Sequence, residues 1–253
     1  MQGTLGAEGR LALVTLACPV VGVRADVGGA GTSLQIDQNT PMLQHDRAGR
    51  FLSALGVETS GSIRLRADLP VGGGAGMSTA ALVALARSVG AAEDRIAHAC
   101  LAAEGASDPL MLPQPDAVLW APRMGQVLQQ MPAPPAAEIV GGLWGPPVWT
   151  DPTDTAFPRI NDLVAAWTRG PELGEAARLA TLSAERTRHV RGPADDPTPG
   201  LVHALGALGY ARAHTGPARA LIFAPGSVPG GAKAALHTTG YTHIMRFHTG
   251  TRA

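Results

Sequence analysis

Pro70-Val71-Gly72-Gly73-Gly74-Ala75-Gly76-Met77-Ser78-Thr79 decides the reading of this sequence, because of what stands on either side of it. Before it, Ser62 to Leu69 alternates Ile63, Leu65, Ala67 and Leu69 with Arg64, Arg66 and Asp68, the period of a half-buried strand. After it, Ala80 to Val89 is a run of alanine and leucine that predicts a helix. A strand, a glycine loop and a helix set backbone N–H groups at the positive end of a helix, where small residues let an anion approach closely. Ser78 and Thr79 add hydroxyls for a phosphate or a magnesium ion. Gly72, Gly73, Gly74, Gly76, Ser78 and Thr79 are therefore the candidate phosphate ligands, with the alternative that Ser78 or Thr79 only caps the helix.

Two familiar phosphate motifs fit poorly. A Walker loop needs a lysine after its glycines, and the only lysine of the chain is Lys233. A dinucleotide fingerprint could begin at Gly72 and Gly74, with Asp94 about 20 residues on as the ribose ligand. Met77 takes the place of its third glycine, however, and Glu93 to Glu104 reads as a helix where the acid should end a strand.

The remaining chain is globular in composition. Its 253 residues are 45% hydrophobic and only 16% charged, with 32 Gly and 21 Pro, as suits a compact, turn-rich protein. Twenty basic residues balance 20 acidic ones, which removes the basic footprint that nucleic-acid binding requires. Leu11 to Val23 is apolar and Thr15-Leu16-Ala17-Cys18 loosely matches a lipoprotein box, but Pro19 breaks the run and it is too short to span a bilayer. It is read as a strand of a cytoplasmic protein with no membrane partner. Cys18 and Cys100 have no Cys-x-x-Cys spacing and read as small buried residues rather than a zinc site or disulfide.

Further elements follow from pattern. Val27 to Gly31 reads as a hairpin or bulge, Asp46 to Leu55 as a helix, and Asp116 to Trp120 and Gln126 to Met131 as strands joined at Arg123 to Gly125. Beyond the prolines at 132 to 135 come a strand at Glu138 to Leu143 and helices at Ile160 to Trp167, Leu173 to His189 and Leu201 to Leu208. The chain closes with strands at Tyr210 to Ala213, Ala218 to Ala224 and Thr242 to His248 around a helix at Gly231 to Thr238. Alternating strands and helices with hairpins indicate an α+β fold in two domains, 1–135 and 136–253.

The ordered motifs resemble those of the GHMP kinases. Pro70 to Ala80 is similar to their second motif, Pro-x-x-x-Gly-x-x-Ser-Ser-Ala/Thr, with Met77 in place of the first Ser. The branch most resembled is the propanediol-utilization L-threonine kinase group. Glu104-Gly105-Ala106-Ser107-Asp108 is similar to its Glu-Pro-Thr-Asp segment, Ala180-Thr181-Leu182-Ser183-Ala184 to its Ala-Thr-x-Ser-Ala, and Ala213-His214-Thr215-Gly216 to its Ala-His-Ser-Gly. The resemblance implies a ribosomal-protein-S5-like N-terminal domain and a ferredoxin-like C-terminal domain with a cleft between them. It also implies MgATP as co-substrate and a small, L-threonine-like alcohol as phosphate acceptor. Met1-Gln2-Gly3 is what remains of the first motif, whose strand and Glu are missing, and Pro217 and Arg219 stand where the family keeps small residues. These departures imply either a start upstream of Met1 or a non-catalytic GHMP-fold ligand-binding protein. A lost strand would also leave an open edge that a second copy could cover, giving a homodimer.

Phosphoryl transfer to an alcohol needs positioning, a metal and a proton acceptor. Asp108, which matches the family's acid, is the candidate base; it could equally open a turn before Pro109. Glu104, one helical turn earlier, could share a magnesium ion with Ser78, or lie solvated at its helix end. His214, Thr215 and Gly216 fall in a loop after a strand and are candidate substrate contacts or loop caps. Trp144 and Trp149 read as core or interface anchors. His237, His243 and His248 read as surface, Arg186, Arg188 and Arg191 as helix-dipole partners, and Asp151, Asp154 and Asp162 as too dispersed for a metal site.

Overall fold

The computed structural model describes residues 1–29, 33–57 and 60–250. Among these residues there are three sheets. The first, in order β1-β2-β6-β7, consists of β1 (Gln2–Leu5), β2 (Arg10–Leu13), β6 (Val118–Ala121) and β7 (Gln126–Gln130). The second, β3-β5-β4, comprises β3 (Val23–Gly28), β4 (Leu34–Gln38) and β5 (Gly61–Ala67). The third, β11-β8-β10-β9, comprises β8 (Ala137–Leu143), β9 (Gly209–Arg212), β10 (Ala218–Phe223) and β11 (Thr242–Thr249). Helices α1 (His45–Leu55), α2 (Met77–Ser88) and α3 (Glu93–Glu104) pack on the second sheet. Helix α4 (Asn161–Trp167) packs on the first sheet, and α5 (Leu173–Arg191) lies between the first and third. Helices α6 (Thr198–Leu205) and α7 (Ala232–Thr238) cover the outer face of the third.

Strand β5 shows why its pattern was readable. Ile63, Leu65 and Ala67 are buried against α1, α2 and α3 while Ser62 and Arg64 face out. In contrast β8 is buried along its whole length, because α6 and α7 cover one face and Ala137 and Ile139 pack on the other with Ala177, Ile222 and Phe247. Its seven residues show no alternation for that reason.

Two segments differ from the sequence expectation. Leu11 to Val23 is not one strand: β2 ends at Leu13, and the chain runs irregularly through Pro19 and Gly22 before β3 starts at Val23. Pro19 has no N–H for a ladder, and the apolar residues Val14, Leu16 and Val21 are spent on lining a cleft. The glycines after Val27 do not make a hairpin either, since β3 and β4 lie on opposite sides of β5, antiparallel and parallel to it. The parallel pair is joined through α1, as a crossover requires. Ala30 and Gly31 lie outside the described residues.

The outer edge of β1 is occupied by the chain itself. Thr4 N–H donates to the Pro158 carbonyl at 2.8 Å and Ile160 N–H to the Thr4 carbonyl at 3.1 Å. The open edge that would have favoured a second copy is thus closed at its centre.

Candidate active site

A cleft of about 430 Å³ runs between the second and third sheets. One wall is the glycine loop with the start of α2; the other is the inner face of the third sheet and the strap 144–158 that follows β8. The two walls are in van der Waals contact at the loop. Gly74 has φ +76°, and a Cβ there would lie 2.2 Å from the Thr215 carbonyl oxygen; Gly216 has φ +91°, and its Cβ would lie 2.6 Å from Gly74 N. Only glycine serves at either position. Ala218 N–H donates to the Gly73 carbonyl at 2.8 Å and Val148 N–H to the Gly72 carbonyl at 2.9 Å, so the loop is tied to the C-terminal half from both sides.

Helix α2 starts at Met77 with left-handed Gly76 as its cap residue and no side-chain cap. The alternative in which Ser78 or Thr79 merely caps the helix is therefore not what the chain does. The Ser78 hydroxyl donates instead to the Glu104 carboxylate, and Thr79 Oγ1 accepts the Asp108 N–H at 3.2 Å. Thr79 is buried and fixes the turn at 105–108 to α2, while Ser78 is half-buried and lines the cleft. Met77 is buried in the core beneath α2.

Three groups expected from sequence converge beside this helix start: Ser78, Glu104 and Asp108. Glu104 receives Ser78 and the Arg47 guanidinium, 3.1 Å away, on the same oxygen. Burial raises its pKa, opposed by the bonds from Ser78 and Arg47. Burial, followed by repulsion from Glu104, pushes Asp108 up to about 6. Among the described residues no protein donor reaches the Asp108 carboxylate, and Gly76 lies against it so closely that a Cβ would sit 3.1 Å from Oδ2. Arg47 had no motif to announce it; it reaches the cleft from the first turns of α1.

At the other end of the cleft His214 stacks on Phe157, with centroids 3.9 Å apart and planes at 8°. The ring is only 4% exposed and neither nitrogen has a protein partner. Burial, with the positive charge of Arg191 behind, holds its pKa down near 3, so it is a neutral imidazole at ordinary pH. Arg191 lies over the Phe157 ring at 5.0 Å and pairs with Asp154 at 2.6 Å; Arg123 lies over the same ring at 5.7 Å and donates to the Asp154 carbonyl. Arg123 lines the cleft and Arg191 does not. Thr215 and Gly216 serve the contact with the glycine loop described above.

Other sequence candidates are placed elsewhere. Asp94 lies in the first turn of α3, which removes the dinucleotide reading. Thr181 donates to the Ala177 carbonyl and accepts the Tyr210 N–H, joining α5 to β9 away from the cleft. His237, His243 and His248 are exposed. Arg186 pairs with Asp162 at 2.6 Å and Arg188 with Glu185 at 2.7 Å. Trp144 donates to the Thr239 carbonyl, whereas Trp149 is 59% exposed on the strap. Cys100 is buried, but Cys18 is only half-buried, at the cleft wall with its sulfur 3.6 Å from that of Met245. Arg219, one of the departures noted in the sequence, is buried and bonds to Asp196 at 2.9 Å and to the Gly216 carbonyl at 3.0 Å. It supports the loop 213–218 from behind. Among the described residues no helix is long and apolar enough to cross a membrane.

No family model and no curated protein matches the chain by sequence. Solved structures do match by shape. Mevalonate kinase of L. major in complex with R-mevalonate superposes with a TM-score of 0.61 at 15% identity, covering 91% of this chain and 86% of that one. Homoserine kinase from Cytophaga hutchinsonii gives 0.59 at 16%, covering 89% and 84%. Mevalonate kinase of Methanococcus jannaschii gives 0.57 at 10%, covering 91% and 88%. At these identities the likeness establishes architecture, and the chain has the two-domain α+β fold of the GHMP kinases.

Proposed function

We propose that the protein is an ATP-dependent kinase that phosphorylates a hydroxyl of a small, L-threonine-like metabolite, with residues 1–135 and 136–253 as its two domains. The observation that carries this reading is the convergence of Ser78, Glu104 and Asp108 on the start of α2 in one cleft. The unbonded N–H groups of the first turn of α2, behind Gly72 to Gly76, form the electropositive seat for phosphate oxygens. Magnesium fits the donor set, because it takes hard oxygen ligands and usually binds through one or two carboxylates together with substrate phosphates. Ser78 and Glu104 would hold it.

Bound MgATP supplies the transferable γ-phosphoryl group and the charge neutralisation its transfer needs. Asp108 receives the proton of the acceptor hydroxyl; its raised pKa suits a base that must both accept and release a proton near neutral pH. Arg47 balances the negative charge of Glu104, which otherwise would stand beside Asp108 and the phosphates. His214 and Thr215 face the acceptor end of the same cleft.

The second reading is a GHMP-fold ligand-binding protein without turnover, favoured by Met77, which offers no hydroxyl at the phosphate seat. One experiment separates them. MgATP should raise the melting temperature, and a panel of amino alcohols with labelled ATP should yield one phosphorylated product. Stabilisation by MgATP with no transfer to any acceptor would favour the second reading, and no effect of MgATP at all would refute both.

A further inference from the structure

Arg47 stands where its own helix gives a cation no support. It lies in the first turn of α1, the end at which the helix dipole favours an acid such as Asp46, while the last turn of that helix carries no basic residue. Its hydrogen bonding is sparse as well. Nη1 donates to Glu104 Oε1 at 3.1 Å, and among the described residues the rest of the guanidinium has no protein acceptor. Arg219, in contrast, spends its donors on Asp196 and on the Gly216 and Ala218 carbonyls. The Arg47–Glu104 pair also stays open to the cavity: the two side chains are 24% and 13% exposed, and both residues line the cleft.

Nor is this pair what docks α1. Ala48, Phe51, Leu52 and Leu55 bury one face of the helix in the core, and Arg50, one turn after Arg47, donates to the Ala103 carbonyl of α3 at 3.4 Å and pairs with Asp46 at 3.2 Å. Helix α1 is thus held on α3 without help from Arg47. What Arg47 does occupy is the oxygen that matters for the metal. Glu104 Oε1 receives both the Ser78 hydroxyl and Arg47, so a divalent ion shared by Ser78 and Glu104 would compete with the guanidinium for that oxygen. Two cations at such range repel each other, and the ion alone must either displace Arg47 or bind beside it. A nucleotide removes the obstacle, because its phosphates offer the planar fork a second partner that guanidinium matches well.

We infer that Arg47 is an exchangeable counter-ion: it holds Glu104 while the cleft is empty and passes to a phosphate of the nucleotide as the metal takes its place. The site therefore resists a divalent ion alone and accepts one together with nucleotide. The inference rests on the kinase reading for the Ser78–Glu104 metal pair and the phosphate seat. A permanent structural ion pair would behave differently. Its removal would loosen the site for every ligand, whereas removal of an exchangeable one moves the affinities for metal and for nucleotide in opposite directions.

The test uses the intact protein and two separate probes: Mn²⁺ without nucleotide, followed by electron paramagnetic resonance, and a non-hydrolysable ATP analogue in EDTA, followed by calorimetry. Arg47→Gln should bind Mn²⁺ about tenfold or more tightly than wild type, because a like charge has left the site. The same variant should bind the metal-free analogue about tenfold more weakly, having lost a charge-assisted bond to phosphate. Arg47→Lys should lie between wild type and Arg47→Gln in both measurements, and adding Glu104→Gln to Arg47→Gln should abolish the gain in Mn²⁺ affinity. Wild type supplies a check that needs no substitution: Mg²⁺ alone should leave the melting temperature nearly unchanged, while Mg²⁺ with the analogue should raise it. Affinities for Mn²⁺ and the analogue that fall together in Arg47→Gln, a Mn²⁺ gain that survives Glu104→Gln, or equal stabilisation of wild type by Mg²⁺ with and without the analogue would each overturn the exchange. Binding of neither Mn²⁺ nor the analogue by any form would instead refute the kinase reading itself, and this inference with it.

Discussion

Asp196→Asn is the most informative single substitution for the architecture of the cleft. Asp196, Arg219 and Arg212 have side-chain exposures of 0%, 2% and 4%. One carboxylate thus compensates two guanidinium groups, and Arg219 Nη1 donates to the Gly216 and Ala218 carbonyls of the loop that contacts Gly74. Asparagine keeps the volume and an acceptor for Thr198, but leaves two buried positive charges facing each other. Removing one partner of a buried pair costs about 3–5 kcal/mol, which for a chain of this size is a fall of roughly 6–20 °C in melting temperature at about 2–4 °C per kcal/mol. The control is Glu175→Gln, whose partner Arg178 is on an exposed, solvent-screened helix face and whose loss should leave the melting temperature nearly unchanged.

The pH dependence gives a second check on Asp196. Burial works to raise its pKa, but the bonds from Thr198 and Arg219 outweigh burial and hold the carboxyl below its ordinary value. A depressed folded pKa means that the stabilisation is fully present above the unfolded pKa near 4 and is lost as pH falls through the folded value. The melting difference between wild type and Asp196→Asn, followed by fluorimetry, should be constant from pH 6 to 8 and shrink on acidification below about pH 4. A cost no larger than that of Glu175→Gln at pH 7, or a difference that grows on acidification, would refute the account.

Three further outcomes are expected. Asp108→Asn should lower kcat by about a hundredfold or more while MgATP still binds; because its pKa is raised to about 6, the same variant should melt higher than wild type at pH 8, and the difference should vanish only on acidification below the unfolded pKa near 4. Gly216→Ala should cost more than about 2 kcal/mol and abolish MgATP stabilisation, since its Cβ would meet Gly72 and Gly74 backbone, whereas Gly6→Ala, at φ +65° with nothing within 4 Å, should cost only the left-handed strain of about 1–2 kcal/mol, as read by chemical denaturation. Phe157→Leu should readmit water to the His214 ring and move its pKa from about 3 toward the ordinary 6.5, as read by imidazole NMR.

The fold was legible where one face of an element met water. Strand β5 and helices α1 and α3 carry that contrast in their sequences, and α3 runs from Glu93 to Glu104, the span its pattern predicts. The segment from Val14 to Gly22 was misread because apolar residues lining a cleft look like apolar residues of a strand, and only Pro19 hinted otherwise. The placement of β4 on the far side of β5 from β3 was hidden for a different reason. Glycines permit a hairpin but do not require one, and the parallel pairing of β4 with β5 is decided by α1 packing on the sheet.

The site divides along the same line. The glycines and Ser78 could be picked out because they stand in one short stretch, and Glu104 and Asp108 because a second short stretch resembles a kinase segment. Arg47, Arg123, Phe157 and Asp154 could not, since they enter the cleft from α1, the turn between β6 and β7 and the strap 144–158, and their spacing carries no signal. Arg219 shows the converse: in sequence it is a charge intruding on a glycine segment, and in the fold it is satisfied by Asp196 and the Gly216 carbonyl. A large cation is compatible with that segment because Asp196 and the Gly216 and Ala218 carbonyls hold its guanidinium, and these bonds brace the loop that Gly216 brings against Gly74. The same argument bears on Met77. Its side chain is buried in the core under α2, so it brings no hydroxyl to the cleft but leaves the backbone N–H at the helix start in place, which the proposed phosphate seat would use. Of the departures from the kinase motifs, Arg219 therefore serves the loop's structure, whereas Met77 bears on the proposed phosphate seat only through the hydroxyl it does not supply.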